Sequence, residues 1–107
     1  MASWADVVAI GTELPEVEES TWYRTPALKV KGKGFLRLKE DGASLAVPVL
    51  DLEDKEALLR ADPGVFFTTP HYDGYAYVLV RLDRIGREQL AELVEDAWRL
   101  RAPKSLL

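Results

Sequence analysis

"ALKVKGKGFLRLK", residues 27–39, is the stretch that decides the expected fold. Leucine or valine alternates with lysine or arginine on both sides of a glycine-bounded turn at Gly32-Lys33-Gly34. A period of two places alternate side chains on opposite faces of a strand, and the glycines suit a tight reversal of the chain. The stretch therefore predicts a β-hairpin with one apolar face and one basic face.

The same alternation assigns each side chain of the hairpin to a face. The side chains expected to face a core are Leu28, Val30, Leu36 and Leu38. Those expected to project into water are Lys29, Lys31, Arg37 and Lys39, with Lys33 at the tip of the turn. Antiparallel sheets are commonly covered on one face and wet on the other. The sequence therefore predicts a basic outer face, meaning the face turned away from the helices.

Helices are predicted on both sides of this hairpin. Ser3 and Asp6 have the spacing of a capping box for a first helix over residues 4–12. Asp51 is suited to cap a second, short helix. Apolar residues at helical spacing predict a third helix over residues 87–101, which Ala102-Pro103 would end. The three helices thus alternate with groups of strand-like segments.

Four further segments resemble strands because they are rich in β-branched and aromatic residues. They are "STWYRT" (20–25), "SLAVPVL" (44–50), "VFFTT" (65–69) and "YAYVLVRL" (75–82). Pro48 cannot donate a backbone hydrogen bond, so its strand is predicted to lie at a sheet edge or to contain a bulge.

The resulting order is helix, three to four strands, helix, two strands and helix. Helices segregated from an antiparallel sheet are typical of a two-layer α+β fold, with an antiparallel β-sheet and the helices packed on one face. A length of 107 residues favours a single domain over residues 1–107.

The outer face predicted in this way suits nucleic acid. Residues 20–39 carry six positive charges and no acid. In the strand at 75–82, two tyrosines and an arginine share the outward parity. Cations neutralise phosphates, and aromatic rings stack on exposed bases. Binding of DNA or RNA is therefore predicted at Lys29, Lys31, Lys33, Arg37, Lys39, Tyr75, Tyr77 and Arg81.

Two alternatives account for the same cations. A wet sheet face commonly carries lysine, which discourages pairing between sheet edges. An acidic protein would also be attracted by a local positive field. The whole chain has a net charge of −4 and a sequence pI near 5.0, without the overall basic character usual in nucleic-acid-binding domains.

Composition narrows the classes of function. The chain has no cysteine, which excludes disulfides, thiolate metal sites and cysteine nucleophiles. No apolar run approaches the roughly 18 residues of a membrane span. The first 20 residues lack the basic start of a signal peptide, so a cytoplasmic monomer is expected. The acids at residues 13–19 lack the spacing of a metal-binding loop, and neither a metal nor a cofactor is predicted.

The loop "TTPHYDGYAY", residues 68–77, holds the one histidine of the chain. Asp73 lies two residues after His71, but no nucleophile-elbow pattern accompanies them, so no catalytic residue is predicted. Asp73-Gly74 favours a turn. A third function remains open, in which a small anionic ligand binds in a pocket beside Trp22, His71 and Tyr72.

Four stretches together resemble the MmcQ/YjbR family of small bacterial proteins. They are "LPEVEES" (14–20), "KVKGKGFLRL" (29–38), "ADPGVFFTTPHYDGYAYVLVRLD" (61–83) and "LVEDAWRLRAPKSL" (93–106). The resemblance implies a frataxin-like fold with an antiparallel sheet against helices. It also implies DNA binding through a "double wing" of two hairpins, and it brings no catalytic residues.

Overall fold

The computed structural model of this protein describes residues 2–107, which form three helices and six strands in the predicted order. The helices are α1 (Trp4–Gly11), α2 (Leu52–Ala61) and α3 (Arg87–Arg101), followed by a 3₁₀ turn at Lys104–Leu106. The strands are β1 (Val17–Trp22), β2 (Thr25–Val30), β3 (Lys33–Leu38), β4 (Ser44–Pro48), β5 (Phe66–Phe67) and β6 (Tyr77–Arg81). None of the described helices is long and apolar enough to cross a membrane.

The strands form one antiparallel sheet in the order β1-β2-β3-β4-β6-β5. One face of the sheet supplies most of the core. Across its centre, Leu38 pairs with Leu45, Leu45 with Val80, and Val80 with Phe66. These four residues are buried against side chains of α1 and α3, including Val7 and Val94. The two-layer α+β fold predicted from the sequence is confirmed.

Local sequence accounts for the helix ends. Asp6 Oδ2 accepts a hydrogen bond of 2.9 Å from the Ser3 backbone N–H, which satisfies one of the free donors before α1. Asp51 Oδ1 accepts from the Asp54 N–H at 2.9 Å and caps α2. The bounds of α3 are those predicted. Trp98, on its buried face, donates its indole N–H to the Pro15 oxygen at 3.0 Å and ties α3 to the segment after α1.

The turn of the basic hairpin differs from the prediction. It lies at Lys31-Gly32, where both φ angles are positive (49° and 80°), and not at Gly32-Lys33-Gly34. Two consecutive residues with positive φ match the type I′ geometry that suits the twist of a hairpin. Lys31 therefore stands at the tip, and Lys33 is the first residue of β3.

A β-bulge also interrupts the simple alternation along β3. Leu28 pairs with Leu36 and Lys29 with Gly34, so Phe35 is the extra residue. The bulge lets the adjacent residues Phe35 and Leu36 both enter the core, where each is fully buried.

The prediction that the strand of Pro48 is an edge strand, or bulged, is wrong. β4 lies inside the sheet, between β3 and β6. However, β3 pairs with β4 only through Ala46 and Leu45, whereas Pro48 pairs with Tyr77 of β6. Pro48, the last residue of β4, thus has a strand on one side only, and its missing N–H removes no ladder bond.

Candidate ligand-binding cleft

A cleft with a volume of about 730 Å³ opens on the outer face of the sheet. Its lining residues are Trp22, Tyr23, Arg37, Lys39, Glu40, Ala46, His71, Tyr72, Tyr75 and Tyr77. Small-molecule sites typically have volumes of about 300–1,000 Å³ and are mainly apolar with a few fixed polar groups. This cleft, called the outer-face cleft, has that size and that composition.

The floor of the outer-face cleft includes Arg37 and Ala46, which belong to a row of paired residues that crosses the sheet. Ala27 pairs with Arg37, Arg37 with Ala46, and Ala46 with Leu79. Residues directly opposite one another in an antiparallel sheet share a face. The two alanines flank Arg37 with short side chains, and both are buried. Arg37 is therefore the polar centre of an otherwise apolar row.

Arg37 is itself buried, with only 8% of its surface exposed, which differs from the predicted solvated position. Its Nη1 donates to Thr25 Oγ1 and to Glu40 Oε1, each at 3.0 Å, and its Nη2 donates to the Tyr72 hydroxyl at 3.4 Å. The guanidinium carbon also lies 5.2 Å from the centre of the Tyr23 ring. These contacts hold the guanidinium in one orientation.

Lys39 supplies the second cation of the outer-face cleft. Its ammonium nitrogen lies 3.2 Å from the Tyr72 hydroxyl oxygen and 3.5 Å from Glu40 Oε2. It also lies 4.9 Å from the centre of the Tyr72 ring. Arg37, Lys39 and the single carboxylate of Glu40 leave a net positive charge beside the aromatic rings.

The pKa values of the ion pair reflect these contacts. Burial lowers the pKa of the Arg37 guanidinium, but hydrogen bonds to Glu40 and Tyr72 raise it by more, so the net shift is upward. The hydrogen bond from Arg37 is the largest cause that holds the pKa of Glu40 below its ordinary value, and the charge of Lys39 adds to it. The ion pair between Arg37 and Glu40 is thus favoured in its charged form.

One wall of the outer-face cleft is the turn between β1 and β2. Tyr23 and Arg24 have φ angles of 54° and 66°, which are uncommon for residues other than glycine. The turn brings Tyr23 to the rim, 72% exposed, with its ring stacked on Trp22 at 5.5 Å between centroids. Trp22 in turn lies over Gly34, where an added Cβ would come within 2.6 Å of the indole ring. Glycine at position 34 therefore makes room for this wall.

The opposite wall is the loop before β6 together with Tyr77, the first residue of β6, and it holds four rings. His71 meets Tyr72 edge to face at 5.0 Å, and Tyr72 lies 6.2 Å from Tyr77. Tyr75 is 63% exposed at the rim. The loop is tied to α2 because the ammonium group of Lys55 donates to the main-chain oxygens of Tyr72 (2.6 Å) and Tyr75 (3.0 Å). A buried helical cation thus fixes the backbone of this wall.

The eight residues predicted to bind nucleic acid do not form one continuous surface. Arg37, Lys39, Tyr75 and Tyr77 come together in the outer-face cleft. Tyr75 lies in the loop and not in the strand, since β6 begins at Tyr77. Tyr77 is half-buried, and its hydroxyl accepts a hydrogen bond from Arg101 at 3.3 Å.

The other predicted cations lie elsewhere. Lys29 is paired across the strands with Glu18 of β1, and Lys31 is at the hairpin tip. Lys33 pairs with Val30, whose side chain is in the core, so Lys33 has the parity of the helix-covered face. Arg81 lies over the Phe67 ring at 4.3 Å and donates to the Pro63 oxygen. The predicted basic face is therefore divided, and a binding role of these residues stays a prediction.

The pocket predicted beside Trp22, His71 and Tyr72 coincides with the outer-face cleft. Sequence reasoning missed Tyr23, Glu40 and Lys55. Glu40 directly follows Lys39, a signal of charge pairing at the end of the hairpin, whereas nothing in the sequence indicates that Lys55 is buried. Among residues 2–107, no group of three or more histidine or acidic side chains is placed to hold a metal ion.

Comparison with known proteins places the whole chain among relatives. The YjbR family model matches residues 12–100. An uncharacterized protein of Mycobacterium bovis and one of Mycobacterium tuberculosis are each 38% identical over 122 aligned residues, which cover 100% of this chain and 94% of theirs.

A crystal structure of a Deinococcus radiodurans protein with a DUF419 domain is similar in fold. It has a TM-score of 0.80 and 26% sequence identity, and the match covers 100% of this chain and 83% of that one.

Proposed function

This chain belongs to the YjbR family, and we propose that it is a binding module, not an enzyme, whose outer-face cleft takes a planar ring carrying an anionic group. The observation that carries this proposal is the burial of Arg37 inside an aromatic cleft. A guanidinium that is 8% exposed and held by three hydrogen bonds is already oriented. Such preorganisation lowers the entropic penalty of binding an anion.

The chemistry of the lining favours a nucleotide as the ligand. The exposed rings of Tyr23 and Tyr75 at the two rims are suited to stack on a base. The ammonium group of Lys39 and the remaining N–H groups of Arg37 are suited to a phosphate. Aromatic rings and two cations therefore line the same cleft.

A nucleotide can reach this cleft from two sources, as a free molecule or as part of a single strand. The six residue-to-residue steps from Lys33 to Lys39 span about 20 Å at roughly 3.3 Å per step of strand. A single strand with one base in the cleft can therefore extend to the hairpin tip at Lys31, whereas a mononucleotide cannot. The separation of these cations favours this mode over a duplex laid on one basic face.

The test is a set of titrations with adenosine monophosphate, a fluorescein-labelled oligothymidylate and a labelled DNA duplex. Binding of both the mononucleotide and the oligonucleotide supports the proposal. If Lys31→Glu weakens only the oligonucleotide, the ligand is a single strand; if it weakens neither, the ligand is the free nucleotide. Two phosphate contacts predict a salt slope of about −1.4 for the single strand on a log–log plot. Binding of the duplex alone, or of no probe, would contradict the proposal.

A further inference from the structure

Glu40 occupies the place that an anionic ligand of the outer-face cleft would need. Its two carboxylate oxygens face different cations, with Oε1 at 3.0 Å from Arg37 Nη1 and Oε2 at 3.5 Å from Lys39 Nζ. A phosphate or carboxylate group that enters the cleft prefers charge-assisted bonds to the same two donors. The cluster thus already contains an anion of its own.

The members of this cluster differ in how firmly they are held. The side chain of Arg37 is 10% exposed and has further bonds to Thr25 and Tyr72, so it stays in place without Glu40. The side chain of Lys39 is 19% exposed and is also bonded to Tyr72. The side chain of Glu40 is 64% exposed. Glu40 is therefore the member that can leave, because water can solvate its carboxylate after it turns outward.

The backbone beneath Glu40 is fixed independently of this carboxylate. Asp41 accepts hydrogen bonds from the Ala43 N–H (2.8 Å), the Ser44 N–H (2.9 Å) and the Ser44 hydroxyl (2.8 Å). Gly42 closes the turn with a hydrogen bond to the Lys39 oxygen. A rotation of the Glu40 side chain thus requires no change in the turn between β3 and β4.

From this arrangement we propose that Glu40 is a displaceable internal counter-ion that lowers the affinity of the outer-face cleft for anions. The inference rests on the proposed function. In the empty cleft Glu40 neutralises part of the charge of Arg37 and Lys39, and an entering anion must compete with it. A phosphate monoester carries a charge of about −1.5 to −2 at neutral pH and three oxygens, and it competes better than a carboxylate with a single charge. The displacement of Glu40 is the same step for both ligands, so Glu40 weakens the binding of phosphate esters and of carboxylates by a similar factor.

The first test is the affinity of Glu40→Gln for adenosine monophosphate, measured by calorimetry beside the wild type. Removal of the competing charge is expected to raise the affinity about five- to tenfold. Glu56→Gln is the matched control, because Glu56 forms an exposed ion pair with Arg60 on α2, outside the cleft. The affinity of the Glu56→Gln variant for adenosine monophosphate is expected to equal that of the wild type. Glu40→Ala provides a second variant with the same expected direction.

The second test uses phenyl phosphate and benzoate, which share a ring and differ in the anion. The wild type is expected to prefer phenyl phosphate, and Glu40→Gln is expected to raise the affinity for both probes by a similar factor, because both must displace the same carboxylate. If the wild type binds adenosine monophosphate but neither Glu40 variant binds it more tightly, the inference is overturned and the proposed function stands. If the wild type binds none of these probes, the proposed function fails and the inference fails with it.

Discussion

The ammonium nitrogen of Lys55 lies 2.6 Å from the main-chain oxygen of Tyr72, and Lys55 is only 4% exposed. A second bond of 3.0 Å joins the same nitrogen to the Tyr75 oxygen. Burial of a lysine is unfavourable unless its donors are satisfied, and here two carbonyl groups accept from two of its three N–H groups. The contact links α2 to the loop whose rings line the outer-face cleft. Both the stability of the fold and the shape of the cleft therefore depend on Lys55.

Lys55→Met is expected to destabilise the protein by about 2 kcal/mol, because two main-chain carbonyls lose their donor in a buried place. Urea unfolding followed by tryptophan fluorescence measures this. Hydrogen exchange at residues 70–76 is also expected to become faster. Arg60→Met on the same helix is the control, since the Arg60 side chain is 79% exposed and its loss should change stability by less than about 0.5 kcal/mol. Equal stability of the two variants would argue against the anchoring role of Lys55.

Gly34→Ala is expected to displace Trp22. The added Cβ would lie 2.6 Å from the indole ring, closer than van der Waals contact permits, so the ring must move. Overpacking of this kind typically costs about 1–3 kcal/mol. The expected readouts are a lower unfolding midpoint and a shifted emission of Trp22.

Gly64→Ala is the comparison for this variant, because its added Cβ would meet only an Asp62 oxygen at 3.5 Å, an ordinary contact. If the two variants have indistinguishable stability and emission, the position of the Trp22 ring does not depend on glycine at position 34.

The order and type of the helices and strands were predictable because each depends on local sequence. The bounds of α3 follow from one apolar stripe and from Ala102-Pro103 at its end. The hairpin turn was misplaced by one residue because Gly32 fits either register. The bulge at Phe35 carried no marker in the sequence, and it changes the parity of the residues before it. Lys33, which was predicted at the tip of the turn, is the first residue of β3.

The candidate site was predictable only in part, because its contacts are distant in sequence. Arg37 bonds Thr25, 12 residues away, and Tyr72, 35 residues away. Alternation places the Arg37 side chain on the outer face correctly, but it cannot say that a loop covers that face. The pocket beside Trp22, His71 and Tyr72 was predicted only as an alternative, because Trp22 lies in β1, far along the chain from His71 and Tyr72.

Tyr72→Phe is expected to remove the one oxygen that accepts from both Arg37 and Lys39. The loss of stability is expected to be about 1 kcal/mol, the usual net value of such hydrogen bonds. Affinity for adenosine monophosphate is expected to fall as well, because both cations lose a positioning contact. Tyr75→Phe is the matched control for stability, since Tyr75 is 63% exposed. A stability of Tyr72→Phe no lower than that of Tyr75→Phe would contradict this role.

Acid is expected to loosen the turn between β3 and β4. Burial raises the pKa of the Asp41 carboxyl, but hydrogen bonds from Ala43 and Ser44 lower it by more, so it lies below its ordinary value of 3.8. A carboxyl group whose pKa is lower in the folded state than in the unfolded state stabilises the fold at pH values above its unfolded-state pKa. This stabilisation is lost as the pH falls through the folded-state pKa.

Asp41→Asn removes this titration, so its stability is expected to fall less than that of the wild type between about pH 5 and pH 2. Unfolding midpoints in urea across this range provide the measurement. Parallel acid profiles of Asp41→Asn and the wild type would contradict the assignment.

The most direct test of the outer-face cleft is a titration of the ¹⁵N-labelled protein with adenosine monophosphate, followed in two-dimensional NMR spectra. The expected result is a set of saturable shifts at the Trp22 indole N–H, at Arg37 and across residues 70–76, with the hairpin tip at Lys31-Gly32 unchanged. Shifts confined to the hairpin tip, or no shifts at millimolar nucleotide, would contradict binding in the cleft.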